Sequence, residues 1–126
     1  MTGSDSVRQP AYATACRFPI DRAEALRLVG DYLHLTNELP GGRTLHVDEW
    51  ESCFTITVSL PAPPIGPDGI PLRPVEPGGG VTVLDKKNGH FSFWPSWAPS
   101  HVVQRFAEAK AADGIDCVTE WPEPDR

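Results

Sequence analysis

The sequence predicts an α+β domain: an antiparallel sheet of four to five strands with two helices packed on one face. Three observations carry this expectation. Apolar residues recur at helical spacing between Ala25 and Leu35, they alternate with polar ones from Phe54 to Leu60, and an Asn88-Gly89 turn signal divides two further apolar runs. At 126 residues the chain is long enough for one core but not for two independent ones.

Residues 1–17 are polar and lack a sustained period, so they read as a flexible N-terminal arm ahead of a single domain spanning 18–121. The first helix is announced by Asp21 as N-cap, with Ile20 before it and Glu24 at the third helical position, where a carboxylate complements unpaired amides and the helix dipole. Ala25, Leu28, Val29, Tyr32, Leu33 and Leu35 supply a broad apolar stripe over about Arg22 to Asn37, and Pro40-Gly41-Gly42 ends the run.

Leu45 and Val47 flank His46 in a short first strand, with the turn placed near Asp48-Glu49. The second strand carries Trp50, Phe54, Ile56, Val58 and Leu60 on one face and Glu49, Glu51, Thr55, Thr57 and Ser59 on the other, which describes one covered face and one wet face. From 61 to 80 the composition shifts to proline and glycine. No helix or central strand survives that, so the segment reads as a stiffened loop with Pro67-Asp68-Gly69 as a turn at its tip. A connection of this length is unusual in a compact domain and is either a binding loop or an idle insertion.

Val81, Val83 and Leu84 open the next strand, Lys87-Asn88-Gly89 turns it, and Phe91 and Phe93 continue beyond. Pro95 halts the ladder. Pro99 suits the first turn of a second helix, which buries Val102, Val103, Phe106 and Ala109 and runs to about Ala112, with Gly114 past its end. Residues 115–121 offer a last edge strand, and 122–126 form an acidic tail.

Composition narrows the function. Apolar residues at 40% and charged residues at 22% describe globular material. A net charge of −6 argues against nucleic-acid binding, which needs a basic footprint to replace counterions on phosphates. The same charge favours basic protein surfaces. Residues 1–10 lack a basic start and an apolar run, and no stretch of about 18 apolar residues occurs, so neither a secretory signal nor a membrane span is expected and the chain reads as cytoplasmic. Cys16, Cys53 and Cys117 are an odd set without CxxC spacing, which fits reduced thiols.

No phosphate-binding, hydrolase, zinc-helix or EF-hand motif is present, and His34, His46, His90 and His101 fall in different elements, so no metal or cofactor is expected. A thiol nucleophile would have to pair Cys53 with His46 or His101, but nothing near Cys53 in sequence would lower its pKa. Asp48, Glu49 and Glu51 form an acidic cluster that fits an acid/base pair, a cation site or a solvated hairpin end. Trp94 and Trp97 bracket Pro95-Ser96, and two indoles so close together are difficult to bury in one turn unless both plug the helix against the sheet. Because tryptophan is enriched in binding hot spots, this corner is the leading interface candidate, and no enzymatic activity is expected.

The stretch Val83-Leu84-Asp85-Lys86-Lys87-Asn88-Gly89-His90-Phe91-Ser92-Phe93-Trp94-Pro95-Ser96, followed by a helix carrying Phe106, resembles the C-terminal half of YrhB-like proteins, also called the immunity protein 35 family. The similarity in element order extends from Asp21 to Phe106, whereas the proline loop stands where that family has a shorter polar connection. The resemblance implies an immunity protein that neutralises a bacterial toxin by binding it, and it brings no catalytic residues. The contacts expected for such a partner, including a basic toxin domain, are Asp48, Glu49, Glu51, Asp68, Trp94 and Trp97. An interaction domain that presents the proline loop as a polyproline-type ligand is the alternative.

Overall fold

The computed structural model of the chain describes residues 9–36, 39, 42–59, 65–70 and 80–121. The α+β class holds, with one sheet and two α-helices among the described residues. Six strands, β1 (Gln9–Tyr12), β2 (Thr44–Glu49), β3 (Cys53–Ser59), β4 (Val81–Asp85), β5 (Phe91–Trp94) and β6 (Ile115–Val118), lie in the order β2-β3-β4-β5-β1-β6. The ladders are antiparallel except β1 to β6, which is parallel, so the sheet is mixed and one strand larger than the upper expectation.

The added strand comes from the segment read as an arm. Gln9–Tyr12 is flanked on both sides, by β5 and by β6, and Ala11 is buried. Its sequence hides this role because Pro10 has no N–H to give the ladder. The Gln9 side-chain amide donates to the Phe93 carbonyl at 2.7 Å, the acceptor opposite Pro10 by the register of the β1–β5 pair. Residues 1–8 and the tail 122–126 lie outside the described residues.

The first helix begins as expected: α1 (Arg22–Leu28) is capped by Asp21, whose carboxylate accepts from the Glu24 amide at 2.9 Å. Glu24 does not close a capping box. Its carboxylate accepts instead from the Arg17 amide at 2.7 Å and from Arg27. Past Leu28 the helix widens into a π-helical turn (Val29–Leu33) and ends at His34, which adopts left-handed φ 58°. The helix is therefore shorter than the expected reach to Asn37. The proposed stop at Pro40-Gly41 lies outside the described residues.

The helices cover opposite faces of the sheet, where both were expected on one. Ala25, Leu28 and Val29 pack on Phe54, Ile56, Leu84 and Phe91, while Val102 and Phe106 of α2 (Pro99–Ala111) pack on Cys53, Val81 and Val83. The strand pattern concealed the second layer. Thr55 marks the expected wet face of β3 yet is fully buried, its hydroxyl accepting from Trp50 Nε1 at 2.9 Å. Trp50 accordingly packs on the α2 side, because the turn after Glu49 breaks the alternation that would have set it beside Phe54. The clue lay in β4, whose Val81, Val83 and Leu84 are all buried, as befits a strand covered on both faces.

The hairpins also shift. β2 runs through Glu49, and Trp50 N–H closes the turn on the Cys53 carbonyl at 2.8 Å, so the chain reverses after, not within, Asp48-Glu49. Between β4 and β5, Asp85 and Gly89 close a wider turn at 2.8 Å, in which Gly89 alone takes positive φ (76°). Its bare Cα is required a second time: a Cβ there would sit 2.3 Å from the Cys16 sulfur. α2 starts at Pro99 as expected and ends in a Schellman motif, with Asp113 in the left-handed position (φ 56°) and Gly114 N–H bonding Ala109 C=O at 2.7 Å.

Candidate partner-binding surface

The Trp94–Trp97 corner splits into an anchor and an exposed ring. Trp94 ends β5, meets Phe106 edge-on at 6.3 Å and donates from Nε1 to Ser92 Oγ at 2.8 Å, so most of its indole belongs to the core under α2. Pro95 and the Trp97 amide then close a short turn at 2.8 Å that throws Trp97 outward. Trp97 is 43% exposed and touches the His101 ring edge-on at 5.0 Å.

Between this corner and α2 lies a groove of about 540 Å³ lined by Gln9, Trp94, Pro95, Trp97, Arg105 and Ala109, with Glu108 at its rim. Its walls are mainly apolar, and its two charges neutralise each other, since Arg105 reaches Glu108 at 3.2 Å. Sequence reasoning found the tryptophans but not Arg105, Ala109 or Gln9. Arg105 sits on the outer side of a helix judged only by its buried stripe, Ala109 was assigned to that stripe but is only half-buried and lines the groove, and Gln9 arrives through a strand pairing with no local signal.

The acidic residues stand elsewhere. Asp48 and Glu49 end β2, and Glu51 sits in the turn that follows. Glu49 faces Phe54, which faces Leu84, whereas Trp94 faces Val81, so the two groups lie at opposite ends of strands three places apart, roughly 15–20 Å from one another. Asp48 and Glu51 are exposed, but Glu49 is held by Lys86 at 2.7 Å. Lys86 also donates to the Trp50 carbonyl at 2.6 Å. Asp68 occupies the loop tip, where its carboxylate accepts from the Ile70 amide at 3.1 Å and Gly69 turns with φ 81°. The expected Pro67-Asp68-Gly69 turn is thus present, with Ile65 and Ile70 exposed beside it. Positions 60–64 and 71–79 of the proline segment, and with them Leu60 of the expected strand face, lie outside the described residues.

Cys53 is fully buried and burial pushes its thiol up to about 11, the reverse of what a nucleophile needs. His46 meets Ser59 at 2.9 Å, and His101 is engaged with Trp97. The described residues hold no group of three or more metal-ligating side chains. Asp85, buried beneath the hairpin, accepts from the Lys87 amide at 2.8 Å and from Lys110 at 2.6 Å, which ties the β4–β5 turn to the end of α2. No helix among the described residues is long and apolar enough to cross a membrane.

No curated protein and no solved structure matches the chain. Residues 23–114, from the first turn of α1 to the glycine that closes α2, match the family described as Immunity protein 35-like domain. That span holds both helices and the four consecutive antiparallel strands, together with the Trp94–Trp97 corner. The chain belongs to the Immunity protein 35-like family and carries an immunity-type domain.

Proposed function

We propose that this protein binds and neutralises a cognate bacterial toxin and that it acts by occlusion, without catalysing a reaction. The exposed Trp97 beside an apolar, self-neutral groove carries the reading: a large rigid ring at the mouth of a concave apolar surface is what an interface hot spot requires. Membership of an immunity-type family supports a protein partner. In this reading Trp97 is the anchor, Trp94 supplies the wall behind it, and Asp48, Glu49, Glu51 and Asp68 steer a basic partner from a distance.

Co-expression with a candidate toxin domain whose expression alone stops growth tests it. The wild-type chain restores growth, and Trp97→Ala, which removes an exposed ring, fails to do so while melting like the wild type. Full rescue by a folded Trp97→Ala variant would remove the anchor. Reversal of Asp48 and Glu51 tests steering more cleanly than Glu49, whose replacement also breaks the Lys86 pair.

The loop offers a second reading, favoured by Ile65 and Ile70, which are 67% and 61% exposed on either side of the tip turn. Here the proline segment is itself the ligand of a scaffold partner. Deleting 63–74 abolishes binding in this case and leaves it intact if the groove is the contact.

A further inference from the structure

The strand register brings a thiol onto an imidazole. Cys117 of β6 lies opposite Ala11 of β1, and Ala11 lies opposite Ser92 of β5, so the three share one row on the face that α2 covers. His90, two residues before Ser92, faces the same way. It is the cross-strand neighbour of Asp85, whose N–H donates to the His90 carbonyl at 3.0 Å. Ala11 contributes only a methyl to the row, and the Cys117 sulfur reaches across it to His90 Nε2 at 4.0 Å.

The surroundings suit a proton transfer between the two. A thiol attacks as its thiolate, so an uncharged imidazole beside it is the group that activates it. Burial holds the His90 ring below its ordinary value; Asp85 opposes this and Lys110 adds to it, so the ring is neutral at pH 7 and Nε2 can accept. The charged groups around the pair, among the described residues, are Asp85 on β4, Lys110 on α2 and Asp113 just past its end. With Asn88 they wall a polar cavity of about 200 Å³ onto which Cys117 opens. That is room for the cysteine-sized half of a small hydrophilic disulfide. The other two thiols lack the arrangement: Cys53 is fully buried, and the Cys16 sulfur donates to the Asn88 carbonyl at 3.6 Å.

We propose that Cys117, with His90 as its proton acceptor, is a thiol–disulfide exchange site that takes a low-molecular-weight hydrophilic disulfide into the adjoining cavity. The Cys117 proton passes to His90 Nε2 as the sulfur attacks one sulfur of the disulfide. A new S–S bond joins Cys117 to that half, and the old S–S bond breaks. The other half leaves with the electron pair and takes the proton from the imidazolium to depart as a thiol. The disulfide is the oxidant: its departing sulfur is reduced and Cys117 is oxidised.

Incubating the intact chain with cystine between pH 6.5 and 8, with intact-mass and peptide-mapping readouts, tests it. One cysteine adduct per chain forms on Cys117, and Cys117→Ser removes it. A free thiol is already a few per cent thiolate near pH 7, so a base can gain only tens of fold, and His90→Gln should slow exchange about tenfold at pH 6.5. The wild-type rate should rise only severalfold from pH 6.5 to 8, because the neutral ring keeps accepting protons, whereas the His90→Gln rate climbs about tenfold per pH unit with the thiolate. A purely structural role for His90 would lower the rate and leave the profile unchanged. Should His90→Gln fail to fold, native and urea-unfolded wild-type protein are compared at pH 6.5, where the native chain should react about tenfold faster at Cys117 because unfolding parts thiol and imidazole. The proposal is overturned by no adduct, by an adduct placed first on Cys16, by a His90→Gln profile parallel to the wild type, or by native exchange no faster than unfolded.

Discussion

Removing the Lys110 ammonium while keeping its stem isolates the contact that joins the β4–β5 hairpin to α2. Asp85 is 3% exposed, and its two carboxylate oxygens are divided between the Lys87 amide and Lys110 Nζ. Lys110→Met preserves apolar packing over the Phe106 ring, from which the ammonium lies 5.5 Å. It leaves a buried carboxylate with only the backbone donor. Breaking a fully buried pair costs about 3–5 kcal/mol. The Lys110 side chain is 33% exposed, so solvent already screens part of the attraction and the expected loss is about 2 kcal/mol. Adding Asp85→Asn removes the stranded charge while retaining an acceptor for the Lys87 amide, and should recover about half of that loss. Urea unfolding followed by tryptophan fluorescence measures both variants. A Lys110→Met protein within about 0.5 kcal/mol of wild type, or a double variant worse than the sum of its parts, would refute the assignment of this pair as the tie.

Three further outcomes follow from the same structure. Gly89→Ala should lose about 2 kcal/mol in the same assay, from positive φ and the collision with Cys16, and Cys16→Ala in that background should return only the part due to the sulfur, because the Cys16 Cβ still crowds the new methyl at 2.8 Å. Arg27 holds the Glu24 carboxylate down at about 2 against an ordinary 4.5, so this group's contribution is fully present above about pH 4.5 and is lost as pH falls towards 2; a Glu24→Gln protein should show a flatter acid limb in pH-dependent melting. In native protein at neutral pH, iodoacetamide should label the exposed Cys117 and spare Cys53, whose thiol is buried and pushed up to about 11, with Cys53 reacting only in urea; peptide mapping by mass spectrometry reads the order.

Local chemistry announced itself well. Asp21 as cap, Pro99 at the head of α2, the Pro67-Asp68-Gly69 tip and the glycine in the β4–β5 turn each act through backbone geometry within a few residues, so their signals stay in the immediate sequence. The tryptophan corner was equally legible, because two indoles three positions apart around a proline constrain their own burial. Its division into the part-buried Trp94 and the exposed Trp97 was not legible, since it depends on where Phe106 meets the sheet.

By itself, then, the sequence determined the class, the caps, the turns, the resemblance to an immunity family and the absence of a recognisable catalytic motif. Tertiary structure alone decided that Gln9–Tyr12 is an interior strand, that the helices take opposite faces, and that β6 ends the sheet beside it. Each of these is a pairing between segments far apart in the chain, and hydrogen bonds between distant backbones leave no period in the residues that make them. Thr55 shows the limit most clearly: a hydroxyl that reads as solvent-facing can be buried at no cost once Trp50 donates to it, and that donor is placed by the fold and not by the neighbouring sequence.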